Sequence, residues 1–494
     1  MAGHSSRPTV GALPDATAES PLVPVALTWL VWALFAASVA ALVARVRIGG
    51  AWEIPGVVAV DGLTVLMWVV VTFFSGVVHS YSRRYMAGSA HETDFFLGAS
   101  GFTVAVMGLV AADHVALFGA LWLAMGLLMA KLVGTVDGWT QAQAAARVAR
   151  KYFLASSVLL GVALAALWRA TGATTVSGIA AGADGLGGTT WAIAAVALVL
   201  AAMIQSALVP FHNWLLSSMT APTPASALMH AGFVNAGGIL LTRFAPVITV
   251  DATLMLGIVV VGATSALLGK LLKAVQSDVK TELGCSTVGQ MGFMIMQAGL
   301  GFFAAAITHL VLHGFYKAYH FLDAGGRVER ASPTERDARG TSVAGAAVVA
   351  VTGLAGGGLF AVLTGKGTSV DGGLLLVLFV VLTTLHAARS AVDHASLSTT
   401  ARYGAVPLVF LPAIAVYALV YEAVASVLSG LPVVTAPTEL GALHALVAVA
   451  FLAVYVAVEA GLHERSRRLY VALLNASQPA SSTVLTTTEE YDEY

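Results

Sequence analysis

The segment Thr308-His309-Leu310-Val311-Leu312-His313-Gly314-Phe315-Tyr316-Lys317-Ala318-Tyr319-His320 decides how the chain is read. His309, His313 and Lys317 stand at i, i+4 and i+8, so on a helix they stack along one face. Leu, Val, Ala and Phe surround them, which puts the row in a helix at hydrocarbon depth. Ionisable side chains there are costly and by default mark an ion pathway. The plainer alternative is that they pair with one another and stiffen a bundle. His320 follows three residues later. Upstream, Gln276-Ser277-Asp278-Val279-Lys280-Thr281-Glu282 forms a polar cluster near a membrane surface. There Lys280, between Asp278 and Glu282, either extends the path or is an ordinary solvated charge.

Outward from this segment the chain stays apolar. Of its 494 residues, 58% are hydrophobic and 10% charged, against roughly 25% charged in a soluble domain. The shortfall runs the whole length, which implies an all-α polytopic membrane protein of about 14 transmembrane helices. A net charge of −1 offers no argument for nucleic-acid binding. The single cysteine, Cys285, excludes an internal disulfide and a Cys-based zinc site. Residues 1–20 are expected to be a disordered tail, 21–470 the membrane domain and 471–494 a polar acidic tail. Basic clusters around Arg83, Arg147, Lys280, Arg330 and Arg465 fall on one side of the membrane, and Arg45, Arg47, Arg169 and Arg243 on the other. Both termini are therefore expected in the cytoplasm, with the chain in the inner (plasma) membrane.

Proline and glycine mark where helices can break. Leu208-Val209-Pro210-Phe211-His212 interrupts one span and Ala221-Pro222-Thr223-Pro224 opens the next. Gly353, Gly356, Gly357 and Gly358 are expected to loosen a later span, shortly before Gly365-Lys366-Gly367. Two halves, about 94–248 and 252–395, then each contain a broken helix, a pointer to a transport site. Lys366 is either a path residue at the second break or a loop-end lysine reaching the interface. His230 is either a relay residue or a packed core histidine. His309 and His313 have the spacing of a two-histidine metal pair, but no Glu lies between them and Lys317 shares the face, which argues against metal. No phosphate-binding, nucleophile, flavin or haem motif supports an enzyme, and no cofactor is expected in this chain.

Five ordered motifs resemble a known family. They are Val60-Asp61-Gly62-Leu63 with His79-Ser80-Tyr81-Ser82; Ala221-Pro-Thr-Pro-Ala-Ser-Ala-Leu-Met-His230; Gln276-Ser-Asp278-Val-Lys280; Ser286-Thr287-Val-Gly-Gln290-Met-Gly292; and His309-Leu-Val-Leu-His313-Gly-Phe-Tyr-Lys317. Together they are similar to the antiporter-like subunits of respiratory complex I and of multisubunit cation/proton antiporters. The resemblance implies two inverted five-helix repeats, each around a broken helix, and proton transfer along a central polar axis through His230, Lys280, His309, His313, Lys317 and Lys366. Asp61, Asp278 and His320 are secondary candidates.

The sequence departs from that family in its first half. The family's Trp-Glu-x-x-Gly is Trp122-Leu123-Ala124-Met125-Gly126 here, and its broken-helix lysine is Gln205. Both ends of a Glu–Lys pair are thus neutral, which avoids an unpaired buried charge. There is also one span fewer ahead of Asp61 than in complex I subunits, and no long lateral helix at the end. With Met229-His230-Ala231-Gly232-Phe233-Val234-Asn235-Ala236-Gly237-Gly238 and Leu469-Tyr-Val-Ala-Leu-Leu-Asn475, these departures resemble the membrane subunits of dissolved-inorganic-carbon accumulation complexes, the DabB family. That resemblance implies a large cytoplasmic DabA-like partner, related to zinc-dependent β-carbonic anhydrases, which holds the zinc. Cation flux, of protons or another monovalent ion, would then be coupled to hydration of CO2 to bicarbonate. The alternatives are a Na+/H+ antiporter subunit and a complex I-like proton-pump subunit.

Overall fold

The computed structural model describes residues 22–50, 52–327, 343–393 and 399–484. The expected N-terminal tail, the basic residues Arg330 to Arg339 and the acidic end lie outside the described residues. Among those described, twelve helical segments are long and apolar enough to cross a membrane, from Leu22–Ile48 to Ala442–Glu459. Two further helices, Val279–Gly299 and Phe303–Leu322, run 21 and 20 residues. Lys280, Glu282, His309, His313, Lys317 and His320 all belong to these two, which lowers their apolar average. Neighbouring helices shield that polar load. Strand structure among the described residues is one antiparallel pair, Trp52–Ile54 with Val58–Val60, ahead of the Gly62–Tyr85 helix.

Helix starts follow the polar residues between apolar runs. Asp61, Asp251 and Asp278 accept the amides of Thr64, Leu254 and Thr281 at 2.9, 2.8 and 2.7 Å, each filling an otherwise unpaired donor. Asp61 also forms an ion pair with Arg243, which donates in addition to Thr64 Oγ1 at 2.7 Å and to the Val110 carbonyl at 2.6 Å. Burial by itself would raise the Asp61 pKa. The adjacent guanidinium and the Thr64 donors outweigh it and hold the carboxyl below its ordinary value. This pair ties the Gly62–Tyr85, Glu92–Ala111 and Ala236–Arg243 helices together at the end of the bundle away from Lys280.

The Ala252–Ala274 and Val279–Gly299 helices pack backbone against backbone. A Cβ on Gly269 would stand 2.2 Å from the Gly289 nitrogen, and one on Gly262 2.5 Å from that of Met296. Such approach needs small residues, and it replaces the hydrophobic drive that lipid does not supply between helices.

The first break falls where proline puts it. The Gly188–Gln205 helix ends at Ser206, the chain turns through His212, and the five-residue helix Asn213–Ser217 follows. The next segment starts at Thr223 with Pro224 in its first turn, and it is interrupted in turn between Ala231 and Ala236. The expected break at Gly353–Gly358 is corrected: Val343–Thr364 is one helix, and Lys366 sits in the turn before Gly373–Asp393. Gly353, Gly356 and Gly357 instead admit the side chains of Leu385, Ile414 and Val381. The expected tail from 471 is corrected as well. An Arg467–Ala476 helix buries Leu473 among Leu216, Leu272, Val275 and Cys285. Its end is tied by Gln276 Nε2 to Ser477 Oγ at 2.8 Å and by the Ala480 amide to Ser217 Oγ at 3.0 Å.

Gly269→Val should drive the two helices apart and lower the thermal-unfolding midpoint in detergent, at a cost of about 1–3 kcal/mol or more. Gly257→Val, where a Cβ meets nothing within 4 Å, should leave the midpoint unchanged.

Candidate functional site

The Phe303–Leu322 helix carries the row. The His309 and His313 rings stack with centroids 5.9 Å apart and planes 16° apart, and Lys317 continues the face one turn on. Lys317 is fully enclosed, and its Nζ donates to the Leu283 carbonyl at 2.7 Å. The same carbonyl accepts from Thr287 Oγ1 at 2.9 Å, and Thr287 Oγ1 shares a 2.9 Å hydrogen bond with His230 Nδ1. His230 is itself stacked on Phe321 at 4.3 Å. A connected polar string thus joins helices Phe303–Leu322, Val279–Gly299 and Thr223–Ala231 through Lys317, Leu283, Thr287 and His230.

This arrangement suits proton exchange. Both ring nitrogens of His313 and Nε2 of His309 and of His230 have no hydrogen-bond partner in the protein, so their donor and acceptor capacity remains unused. A buried amine beside such rings can hand a proton along the row, because neither form of either group is held by a counter-ion. Among the described residues no three His, Cys, Asp or Glu side chains gather around a common centre.

The remaining expected residues divide into two ends and a set off the row. Lys280 Nζ donates at 2.7 Å to the carbonyl of Ala221, just after the first break. Asp278 is the exposed N-cap of the same helix, and Glu282 pairs with Lys273 at 3.2 Å. At the opposite end Lys366 Nζ lies 4.9 Å over the Phe302 ring and 5.7 Å over Tyr421. Burial lowers the Lys366 pKa, opposed by the charges of Glu422 and Asp371. From Phe302 to His309, the row's nearest member, the helix rises about 10 Å at 1.5 Å per residue, and Lys366 Nζ rests on the Phe302 and Tyr421 rings rather than on the row. His320, at the far end of the same helix, stacks edge-on with Tyr316 at 4.1 Å and with Tyr319 at 5.2 Å. Asp61 is committed to Arg243 and is not joined to it.

The first half holds neutral polar groups. Trp122 Nε1 donates to Ser156 Oγ at 3.1 Å, and Ser156 donates to the Ala201 carbonyl at 3.0 Å. Gln205 is buried, and neither atom of its amide finds a protein partner. His79, also buried, bonds Ser100 Oγ at 2.9 Å and the Ser75 carbonyl at 2.8 Å.

Sequence reasoning missed a charged cluster built on three other helices. Lys270 Nζ stands 2.8 Å from His386 Nε2, His386 Nδ1 stands 2.6 Å from Glu459 Oε1, and Arg389 Nε lies 3.1 Å from Glu459 Oε2. The signal available was His386 and Arg389 at i, i+3 in an otherwise apolar helix.

Gln205→Leu should be neutral or stabilising by up to about 1 kcal/mol in thermal unfolding, because it removes a buried amide that has no partner. A clear loss of stability would mean that the amide is satisfied in the membrane.

The comparisons with known proteins agree with this architecture. A family model described as "NADH:quinone oxidoreductase/Mrp antiporter, TM" matches residues 112–343, and one described as "NADH-Ubiquinone oxidoreductase (complex I), chain 5 N-terminus" matches 48–96. The chain is 38% identical over 283 residues to a protein named "Probable inorganic carbon transporter subunit DabB1" from Halothiobacillus neapolitanus, covering 56% of this chain and 50% of that protein. It is 36% identical to the DabB of Bacillus subtilis, over 57% of this chain and 56% of that protein. To NADH-quinone oxidoreductase subunit L of Mycobacterium tuberculosis it is 33% identical, over 57% of this chain and 44% of that protein. The matches therefore span about half the length of these curated relatives. In fold it is similar to a chain of the Mrp complex from Dietzia sp., with a TM-score of 0.56 at 23% identity, covering 95% of this chain and 52% of that one. A chain of Thermus thermophilus respiratory complex I gives 0.52 at 19%, covering 92% and 98%.

Proposed function

We propose that this chain, which belongs to the complex I/Mrp antiporter-like family of membrane subunits, conducts protons through its second half and couples that flux to inorganic-carbon accumulation. The observation that carries the proton reading is the enclosed string of Lys317, Leu283, Thr287 and His230 beside the His309–His313 stack, set against the neutral Ala124 and Gln205 of the first half. Lys280 serves the cytoplasmic end and Lys366 the other. The inorganic-carbon reading is supported by identities of 34–38% to relatives named for that transport.

In this reading the chain sits in the plasma membrane with both termini in the cytoplasm, since its basic residues concentrate at the Lys280 end. Chemistry on CO2 belongs to a large cytoplasmic zinc protein related to β-carbonic anhydrases, and this chain is the energy-coupling subunit, with no cofactor of its own. The docked Arg467–Ala476 helix supports a partner on that side, because it leaves Leu469, Tyr470 and Val471 partly exposed beside Arg467 and Arg468.

Co-expression with such a partner should rescue growth in air of a host lacking carbonic anhydrase. Lys317→Ala and His313→Ala should abolish the rescue, and Gln205→Leu should keep it. Failure of a well-inserted pair to rescue, with Na+/H+ exchange present in vesicles, would make the chain an antiporter subunit instead.

A further inference from the structure

The Lys270–His386–Glu459–Arg389 cluster lies outside the row described above. Its members come from the Ala252–Ala274, Gly373–Asp393 and Ala442–Glu459 helices. Lys270 is four residues from the end of its helix and Glu459 is the last residue of its own. The group therefore sits within about two turns of the face that bears Lys280. His386 is the only imidazole among the described residues with one ring nitrogen on an amine and the other on a carboxylate.

That geometry is a proton wire. With Nδ1 protonated and donated to Glu459, Nε2 presents a lone pair to the Lys270 ammonium. A proton passing from Lys270 Nζ to His386 Nε2, with release of the Nδ1 proton to Glu459 Oε1, breaks two N–H bonds and forms one N–H and one O–H. The charged pair becomes a neutral amine and a neutral acid, the ring returns as the other tautomer, and no proton is gained or lost overall. Arg389 Nε lies 3.1 Å from the other carboxylate oxygen of Glu459. Tyr455, one turn before Glu459, and His444 near the helix start are the other titratable groups on that helix. Neighbouring residues bring the cluster close to the row. Lys273 lies one turn beyond Lys270 and pairs with Glu282 at 3.2 Å, and Glu282 precedes the Leu283 whose carbonyl holds Lys317.

We propose that Lys270, His386 and Glu459 form a lateral proton relay, an outlet from the Lys317 row to the flank of the bundle, where the His386 side chain is 43% exposed. The inference rests on the proton-conducting reading above. It differs from a purely structural ion pair in needing both imidazole nitrogens rather than only charge.

The test is proton flux into liposomes containing the full chain with whatever subunits co-purify, read by a trapped pH dye under an imposed potential. His386→Ala should cut flux by about tenfold or more, less than the roughly 10²–10⁴ lost with an essential proton-transfer group because the axial row stays intact. It should also flatten the pH dependence, and added imidazole should restore both. Glu459→Gln keeps shape and an acceptor for Arg389 but cannot take the proton, so it should match His386→Ala without imidazole rescue. It reports the same outcome if His386→Ala fails to insert. Flux in the parent protein that is abolished by Lys317→Ala, yet unchanged in rate and pH profile by both flank variants, overturns the relay and leaves the row standing. No flux in the parent protein overturns both.

Discussion

An ammonium group enclosed among apolar helices must be solvated by the protein itself, and the rest of this structure follows from how Lys317 is treated. Its Nζ reaches the Leu283 carbonyl, an oxygen that already serves its own helix and accepts from Thr287. A backbone carbonyl solvates a cation without adding a fixed negative charge, so the lysine can lose its proton without stranding a partner. That arrangement requires the Val279–Gly299 helix to lie close against the ladder helix on one side. On its other side the glycines at 262, 269, 289 and 292 let the Ala252–Ala274 helix press against it. A rigid pair of helices thereby presents one carbonyl at one depth.

The two halves of the bundle treat polarity in opposite ways. The second half keeps titratable groups with unused capacity, including His313 and His230. The first half keeps an indole and a hydroxyl that satisfy each other in the Trp122–Ser156–Ala201 link, and a buried Asp113 that accepts from Ser177. Gln205 is the exception, a buried amide standing at the break where a charge would otherwise be expected. The Asp61–Arg243 pair, partly buried at the far end, ties together the helices between which the first half is built. There Asp61 caps its helix and pairs with Arg243.

Much of the site was legible in the sequence because it depends on local period. His309, His313 and Lys317 share a face for the reason that any i, i+4, i+8 set does. The break after Gln205 follows from Pro210, and the helix start at Thr223 from Pro222 and Pro224. The glycine cluster at 353–358 misled because glycine has two uses that composition does not separate. It can free the backbone to break, or it can make room for a neighbour's side chain, and here Leu385, Ile414 and Val381 fill the room. The docked stretch beyond 471 misled for a related reason. Its polar residues meet the ends of other helices, so polarity there marks a contact rather than solvent.

By itself the sequence determined that this protein lives in a membrane, that its central helices carry a row of bases on one face, and that Ala124 and Gln205 leave two positions of its first half uncharged. Each of these is a property of composition or of spacing along one helix. Only the tertiary structure decided which carbonyl holds Lys317, that His230 reaches the row through Thr287, and that Lys270, His386 and Glu459 meet. Residues 116 and 73 positions apart in the chain come together there. Helical period orders side chains within a segment, but the rotation and depth of one helix against another are set by packing, and packing is a property of the whole bundle.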